Sequence, residues 1–357
     1  MDLLEASWLA LDARGGCPSA HFGWTRACLT AFPEDATVEI IAAARGNQLL
    51  GVAPLVRKRL HGVHRLFLAG VSQLHEPMDL VWTDVVTLGR LTGALARSGS
   101  PLVIERMPAD SPVLEAIRRA SRRRALIVVR AEAAYPYVPL DESWVEPQQH
   151  LNAFCRSLLR RARLKAEQFG PVTTEIHTPG LHELPGLLDT AFQVEAKGWK
   201  GTEASAPAHD PHRAVFYRQY AQAACVAGTL RIALLRIGDR VAAVQVAIES
   251  GGAYWLLMAG DDDRFAACSP GQLLLRETIR YAAEANLRSY EFWGRRDPWT
   301  EAWTAHERRC VSVWAYPFGL RGLAALVADA VAARCRKGRK SEGGDGSQAC
   351  RMARART

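Results

Sequence analysis

Residues 253–303 read AYWLLMAGDDDRFAACSPGQLLLRETIRYAAEANLRSYEFWGRRDPWTEAW, and this stretch decides the fold. The apolar run Ala253–Ala259 predicts a strand. A polar loop follows, and Ser269-Pro270-Gly271 then opens a helix that reaches about Ala285. Ser269 suits the N-cap, and Pro270 suits the first helical position, where a missing N–H costs nothing. A second strand, Ser289 to Trp293, ends in Gly294-Arg295-Arg296-Asp297. The free N–H groups and dipole of a helix start make an anion site. Such a site close in sequence to a charged strand end points to an enzyme that holds a phosphorylated carrier beside a reacting group.

Outward from this stretch the chain looks duplicated. Residues 39–55 form an apolar strand, a Gly46-Asn47 turn and a second apolar strand, and residues 231–247 repeat the plan around Gly238-Asp239. Gly beside Asn or Asp at a two-residue connection signals a hairpin. The two turns lie 192 residues apart, from Gly46 to Gly238, and an aromatic helical segment precedes each. Two mixed α/β units are expected, 1–134 and 135–319, with the boundary in the turn-rich stretch Ala134–Pro147. A C-terminal helix at 320–334, with its apolar core at Gly322–Arg334, and a disordered basic tail at 335–357 complete the expected plan.

Of 357 residues, 48% are hydrophobic and 23% charged, which are globular proportions. No apolar run reaches the ~18–20 residues that span a bilayer, and the N-terminus lacks a basic segment before an apolar core. A cytoplasmic protein is therefore expected, with the basic C-terminal helix as a peripheral contact to the inner membrane. The eight cysteines are scattered without a CxxC pair, and no histidine spacing matches a metal motif, so no metal is expected. The formal charge is +8. Residues 334–357 hold eight Lys or Arg against Glu342 and Asp345, so most of the charge belongs to the tail. DNA is not an expected partner, and the basic run Arg156–Lys165 lacks the interleaved aromatics of an RNA-stacking surface.

Four motifs resemble a family. They are Ser157-Leu-Leu-Arg160-Arg161 with Lys165 and Glu167; Glu195-Ala-Lys197-Gly198-Trp199-Lys200-Gly201; Ser269-Pro270-Gly271 with Leu273-Leu274; and Glu291-Phe292-Trp293-Gly294 with Asp297 and Trp303. In that order they resemble the GNAT-related acetyltransferases of the BioF2-like or CelD-like group, and more distantly the Fem ligases. The resemblance implies two tandem GNAT-like units and acyl transfer, with acetyl-CoA or another acyl-CoA as donor, to an amine or hydroxyl of a small molecule or glycan. The Fem likeness implies an alternative donor, aminoacyl-tRNA. Where such proteins carry an aromatic-Lys pair this chain has Trp299-Thr300, which keeps open a third reading, a non-catalytic accessory protein of envelope polysaccharide synthesis.

Acyl transfer needs a base, donors for the carbonyl oxygen and a grip on the carrier. The expected carrier site is Ser269 with the N–H groups of Gly271, Gln272 and Leu273, helped by Arg264. Glu291, inside a strand, is the first candidate base, because burial raises a carboxyl pKa. Asp297 is the second, and Tyr254 is a candidate acid for the leaving thiolate. Glu195, Trp199, Lys200, Arg295 and Trp303 are the expected acceptor wall. Each also has a structural use: an ion pair for Glu291, a turn for Asp297, packing for the aromatics.

Overall fold

A computed structural model describes residues 2–13, 15–32, 36–198, 207 and 209–342. The first half supplies α1 (Glu5–Asp12), α2 (Phe22–Ala31), β1 (Thr37–Arg45), β2 (Gln48–Leu60), β3 (Val63–Leu68), α3 (Val71–Leu74), β4 (Val81–Trp82), α4 (Val85–Arg97), β5 (Leu102–Pro108) and α5 (Pro112–Ala120). The long strand β6 (Ala125–Pro139) leads to α6 (Ala153–Glu167), β7 (Val172–His177), α7 (Leu184–Ala196), α8 (Pro211–Val226), β8 (Leu230–Ile237) and β9 (Arg240–Ser250). The chain ends with β10 (Ala253–Asp261), α9 (Pro270–Glu284), β11 (Ser289–Glu291), α10 (Pro298–Glu301), β12 (Glu307–Pro317) and α11 (Leu320–Glu342).

The described strands form one mixed sheet in the order β1-β2-β3-β5-β12-β6-β11-β10-β9-β8-β7, with β4 added to β2. Two neighbouring pairs are parallel, β3 with β5 and β10 with β11. Each is bridged by a crossover that contains a helix, α4 in the first half and α9 in the second, as parallel strands require. The expected hairpins form where the sequence places them. Arg45 pairs with Gln48 and Ile237 with Arg240, and Gly46 and Gly238 take φ of +58° and +61°, which glycine adopts without strain.

The halves are joined at the centre of the sheet. β12 pairs with β5 on one side and β6 on the other, and the far end of β6 pairs with β11. Residues 134–139, read from sequence as part of a turn-rich boundary, are the end of β6. Its prolines read as breakers, yet Tyr135 and Val138 are buried, so this end of the strand is fixed by packing. A helical seam also joins the halves. α2 lies against α8 so closely that a Cβ on Gly23 would sit 2.7 Å from that of Ala223. Trp24, buried there, meets Phe216, Tyr220 and Trp293 edge-on at 4.8–5.3 Å between ring centroids. α11 begins two residues before the expected apolar core at Gly322 and extends to Glu342. The tail beyond it, 343–357, lies outside the described residues.

Candidate active site

β10 and β11 pair over only three residues, Ala253 with Ser289, Tyr254 with Tyr290 and Trp255 with Glu291. Then they part, for two local reasons. β10 bulges between Leu256 and Met258 against β9, which re-aims the strand. On the other side Trp293 and Gly294 take φ of +53° and +59°, so the chain turns away. A left-handed tryptophan is strained, and the surrounding structure must hold it. The opening is a cleft of about 240 Å3, walled by Leu256–Ala259 and Phe292–Arg295.

Side chains from both halves reach into it. Glu76, in the loop after α3, accepts the Gly294 N–H at 3.2 Å. Burial pushes its carboxyl above the ordinary value, opposed by the Arg106 charge, the Gly294 hydrogen bond and the Arg213 charge. Arg106 itself is buried with φ +49° and donates to the Gly294 carbonyl at 2.8 Å and to that of His75. It ties the loop carrying Glu76 to the loop after β11. Asp210 caps α8 by accepting the His212 and Arg213 N–H groups at 3.0 and 3.2 Å, which sets Arg213 at the cleft. Tyr217, one turn later, donates to the carbonyl of Leu257 at the bulge at 3.3 Å. Its burial raises the phenol pKa and keeps it protonated. Glu195, at the end of α7, lines the same cleft and is 7% exposed. α7 approaches β10 there so closely that a Cβ on Gly260 would lie 2.6 Å from the Glu195 Cα.

The start of α9 differs from the expected phosphate cradle. Ser269 takes φ +43° and its hydroxyl caps nothing. Its carbonyl accepts the N–H groups of Gln272 and Leu273 at 3.0 and 3.2 Å, so two of the three proposed amides are spent. Gly271 faces a second cavity of about 330 Å3, but Asp261 and Asp263 line that space as well. Arg264 does not line it; its guanidinium leans 4.0 Å from Asp262 and is 62% exposed. The side chain of Gln272 fastens α10 to α9, donating to the Trp299 carbonyl at 3.1 Å and accepting from Trp303 Nε1 at 2.8 Å. Trp303 is therefore an anchor, 4% exposed, and not a stacking face. It borders an apolar groove of about 420 Å3 between α6, α9 and α10.

Two of the catalytic candidates read from sequence, the first-choice base Glu291 and the candidate acid Tyr254, are corrected. Glu291 is 1% exposed and held by Arg308 through contacts of 2.6–3.1 Å and by the Ser289 hydroxyl at 2.6 Å. It does not line the cleft, and its ion pair is structural. Tyr254 is fully buried in the paired end of β10, stacked on Tyr290 at 4.8 Å, away from where the strands part. Asp297 and Arg295 are exposed and line the cleft. Trp199 and Lys200 lie outside the described residues. Sequence reading missed Glu76, Arg106, Arg213 and Tyr217. The Asp210-Pro211 helix start placed Arg213 and Tyr217 on one face, but nothing local marked Glu76.

Residues 153–301 match the family profile described as an acetyltransferase (GNAT) domain. This segment is a GNAT domain. About nine tenths of the chain shares the fold of several solved structures. It superposes on FemX with a TM-score of 0.60 at 12% identity, covering 90% of this chain and 98% of that one. For the C-terminal domain of a putative lysylphosphatidylglycerol synthetase from Agrobacterium fabrum the TM-score is 0.55 at 12% identity, covering 92% and 96%. For L-PGS from Bacillus licheniformis it is 0.53 at 12%, covering 90% and 96%. No curated protein matches the chain in sequence. The FemX-like fold thus spans both halves, the GNAT profile covers residues 153–301, and the cleft lies inside the matched segment with Glu76 added from outside it. Among the described residues no cluster of His, Cys, Asp or Glu could hold a metal ion, and no helix is long and apolar enough to cross a membrane.

Proposed function

We propose that this chain transfers an acyl group from an acyl-CoA thioester to an amine, with Glu76 as general base. The observation that supports this most is the parting of β10 and β11 beside Glu76. From Leu256 onward β10 has lost its β11 partner, so its edge offers backbone donors and acceptors to an extended ligand. The amide-bearing arm of coenzyme A is such a ligand. Two carboxylates in the cleft, Glu76 and Glu195, favour a cationic amine on the acceptor. The ammonium gives up one proton to solvent to free its lone pair, and Glu76 takes the second as the C–N bond forms. The C–S bond then breaks, and the protonated phenol of Tyr217 supplies a proton to the leaving thiolate. A carboxyl whose pKa burial has raised suits the first step, because it accepts a proton more readily than an ordinary one.

A second reading has its own observation. Asp261 and Asp263 line the cavity at the α9 N-terminus and oppose a diphosphate there, whereas Arg160 and Arg161 of α6 are exposed. That arrangement suits a donor whose acyl ester is carried on RNA, in line with the FemX-like fold. The test is turnover of acyl-CoAs of graded chain length against a panel of amines, read as thiol release, in parallel with aminoacyl-tRNA. Thiol release that Glu76→Gln abolishes supports the CoA reading. Transfer from aminoacyl-tRNA alone overturns that donor, and no transfer from either overturns the enzyme.

A further inference from the structure

α11 has its polarity reversed. It packs on β12 and β3, and the side it turns inward carries Gly322, Ala325 and Asp329, all buried. Asp329 accepts both Nη groups of Arg65, itself fully buried, at 2.6 and 2.8 Å, and is met by Tyr316 Oη at 2.7 Å and His61 Nδ1 at 2.8 Å. These contacts fix the rotation of the helix, and hydrogen bonding with Arg65 leads the effects that draw the Asp329 carboxyl below its ordinary range against its burial. The side left outward carries Leu320, Leu323, Val327 and Val331, which are 88%, 58%, 53% and 54% exposed. Their spacing of three, four and four places them on one stripe. Phe318, two residues before Leu320, is 70% exposed as well. A helix on a soluble surface ordinarily presents polar residues outward, and a contiguous apolar stripe marks a contact surface.

Charge says what the contact is. α11 holds two acids, Asp329, which is turned inward, and Glu342 at its last position. The same helix carries Arg321, Arg334, Arg336, Lys337, Arg339 and Lys340. An apolar stripe on a helix whose basic residues outnumber its acids six to two is the pattern of a helix that lies in the plane of an anionic lipid surface. We infer that α11 docks the protein on anionic membrane, with Leu320, Leu323, Val327 and Val331 entering the boundary between headgroups and acyl chains. The inference is independent of the acyltransferase reading.

The test is flotation of the full chain with vesicles of phosphatidylcholine alone and with vesicles containing phosphatidylglycerol, comparing wild type with Leu323→Glu/Val327→Glu. Both substituted positions are exposed, so the variant keeps the Arg65–Asp329 anchor, and its circular dichroism and melting curve verify the fold. The expected result is flotation of wild type with anionic vesicles only, reversed by salt and lost in the variant. No flotation of wild type overturns the inference, as does equal flotation with neutral vesicles or retained flotation of the folded variant. A concentration-dependent dimer in light scattering that the variant abolishes, without flotation, assigns the stripe to a second copy instead.

Discussion

α4 and α9 hold matching places in the two halves, each within the connection of a parallel strand pair, and their first turns are built in opposite ways. At α4, Asp84 Oδ1 accepts the Thr87 N–H at 2.8 Å and Oδ2 accepts the Thr87 hydroxyl at 3.0 Å. The helix end is closed by its own side chain. At α9, Ser269 is left-handed, its hydroxyl caps nothing, and Gly271 faces a cavity. A capped end favours stability, because orphan amides find partners. An uncapped end beside a cavity leaves an amide for something that arrives later. The second half therefore keeps the opening, while the first lends it a carboxylate and a clamp, Glu76 and Arg106.

The sharpest way to break this division of labour is Glu76→Gln. It should lower kcat by about 10²–10⁴-fold, the usual contribution of a positioned base, with the fold intact by circular dichroism. Asp84→Ala is its counterpart, lowering thermal stability while leaving kcat and KM unchanged. If Glu76→Gln stays active, the first half contributes structure alone. The seam between the halves comes next. Trp24→Ala should cost about 3–5 kcal/mol in denaturant unfolding, since it empties a buried aromatic site. Smaller than that, Glu291→Gln should cost about 2–4 kcal/mol, the partial exposure of Arg308 keeping it below a fully buried pair. Its kcat should survive under conditions where the protein is folded; a specific loss of kcat without loss of stability would return Glu291 to the chemistry.

Acidity supplies a further separation. The raised Glu76 carboxyl must be ionised to act, so kcat/KM should climb with pH through that raised value and the limb should vanish in Glu76→Gln. The linked stability runs the other way. A carboxyl raised on folding contributes stability that is fully present below its unfolded value and is lost as pH rises through the folded one. Glu76→Gln should therefore gain on wild type as pH rises toward neutrality, read as melting temperature across pH 4 to 8. The smallest expected effect is at the open helix end. Asp261→Asn should tighten a phosphate-bearing donor about two- to five-fold by calorimetry, the size of one charge at a helix terminus. Unchanged affinity would place the donor's phosphates elsewhere.

What was legible in the sequence was local. The Gly46-Asn47 and Gly238-Asp239 hairpins and the Ser269-Pro270 helix start depend on backbone chemistry within a few residues, and each forms as read. The cleft is different in kind. Glu76 reaches Gly294 across 218 positions of chain, and Arg106 reaches it across 188. Periodicity carries no record of such meetings. Glu291 shows the same limit from the other side. A carboxylate in an apolar strand signals burial, but whether burial activates or neutralises it depends on Arg308, which arrives on a later strand. Ser269 was the right residue type at the right place, yet its backbone is left-handed and its hydroxyl makes no cap hydrogen bond.

The central strands carry a practical warning for anyone who would cut this protein down. A fragment trimmed to residues 153–301 would retain β10 and β11 but discard β6, whose Tyr137, Val138 and Pro139 pair with the whole of β11. It would also discard Arg308, leaving Glu291 without its ion-pair partner on a raw strand edge. Such an edge recruits other chains. The piece that sequence comparison outlines most clearly is thus not a unit that can be expressed alone, and the expected outcome of trying is aggregate in the pellet, not a minimal enzyme.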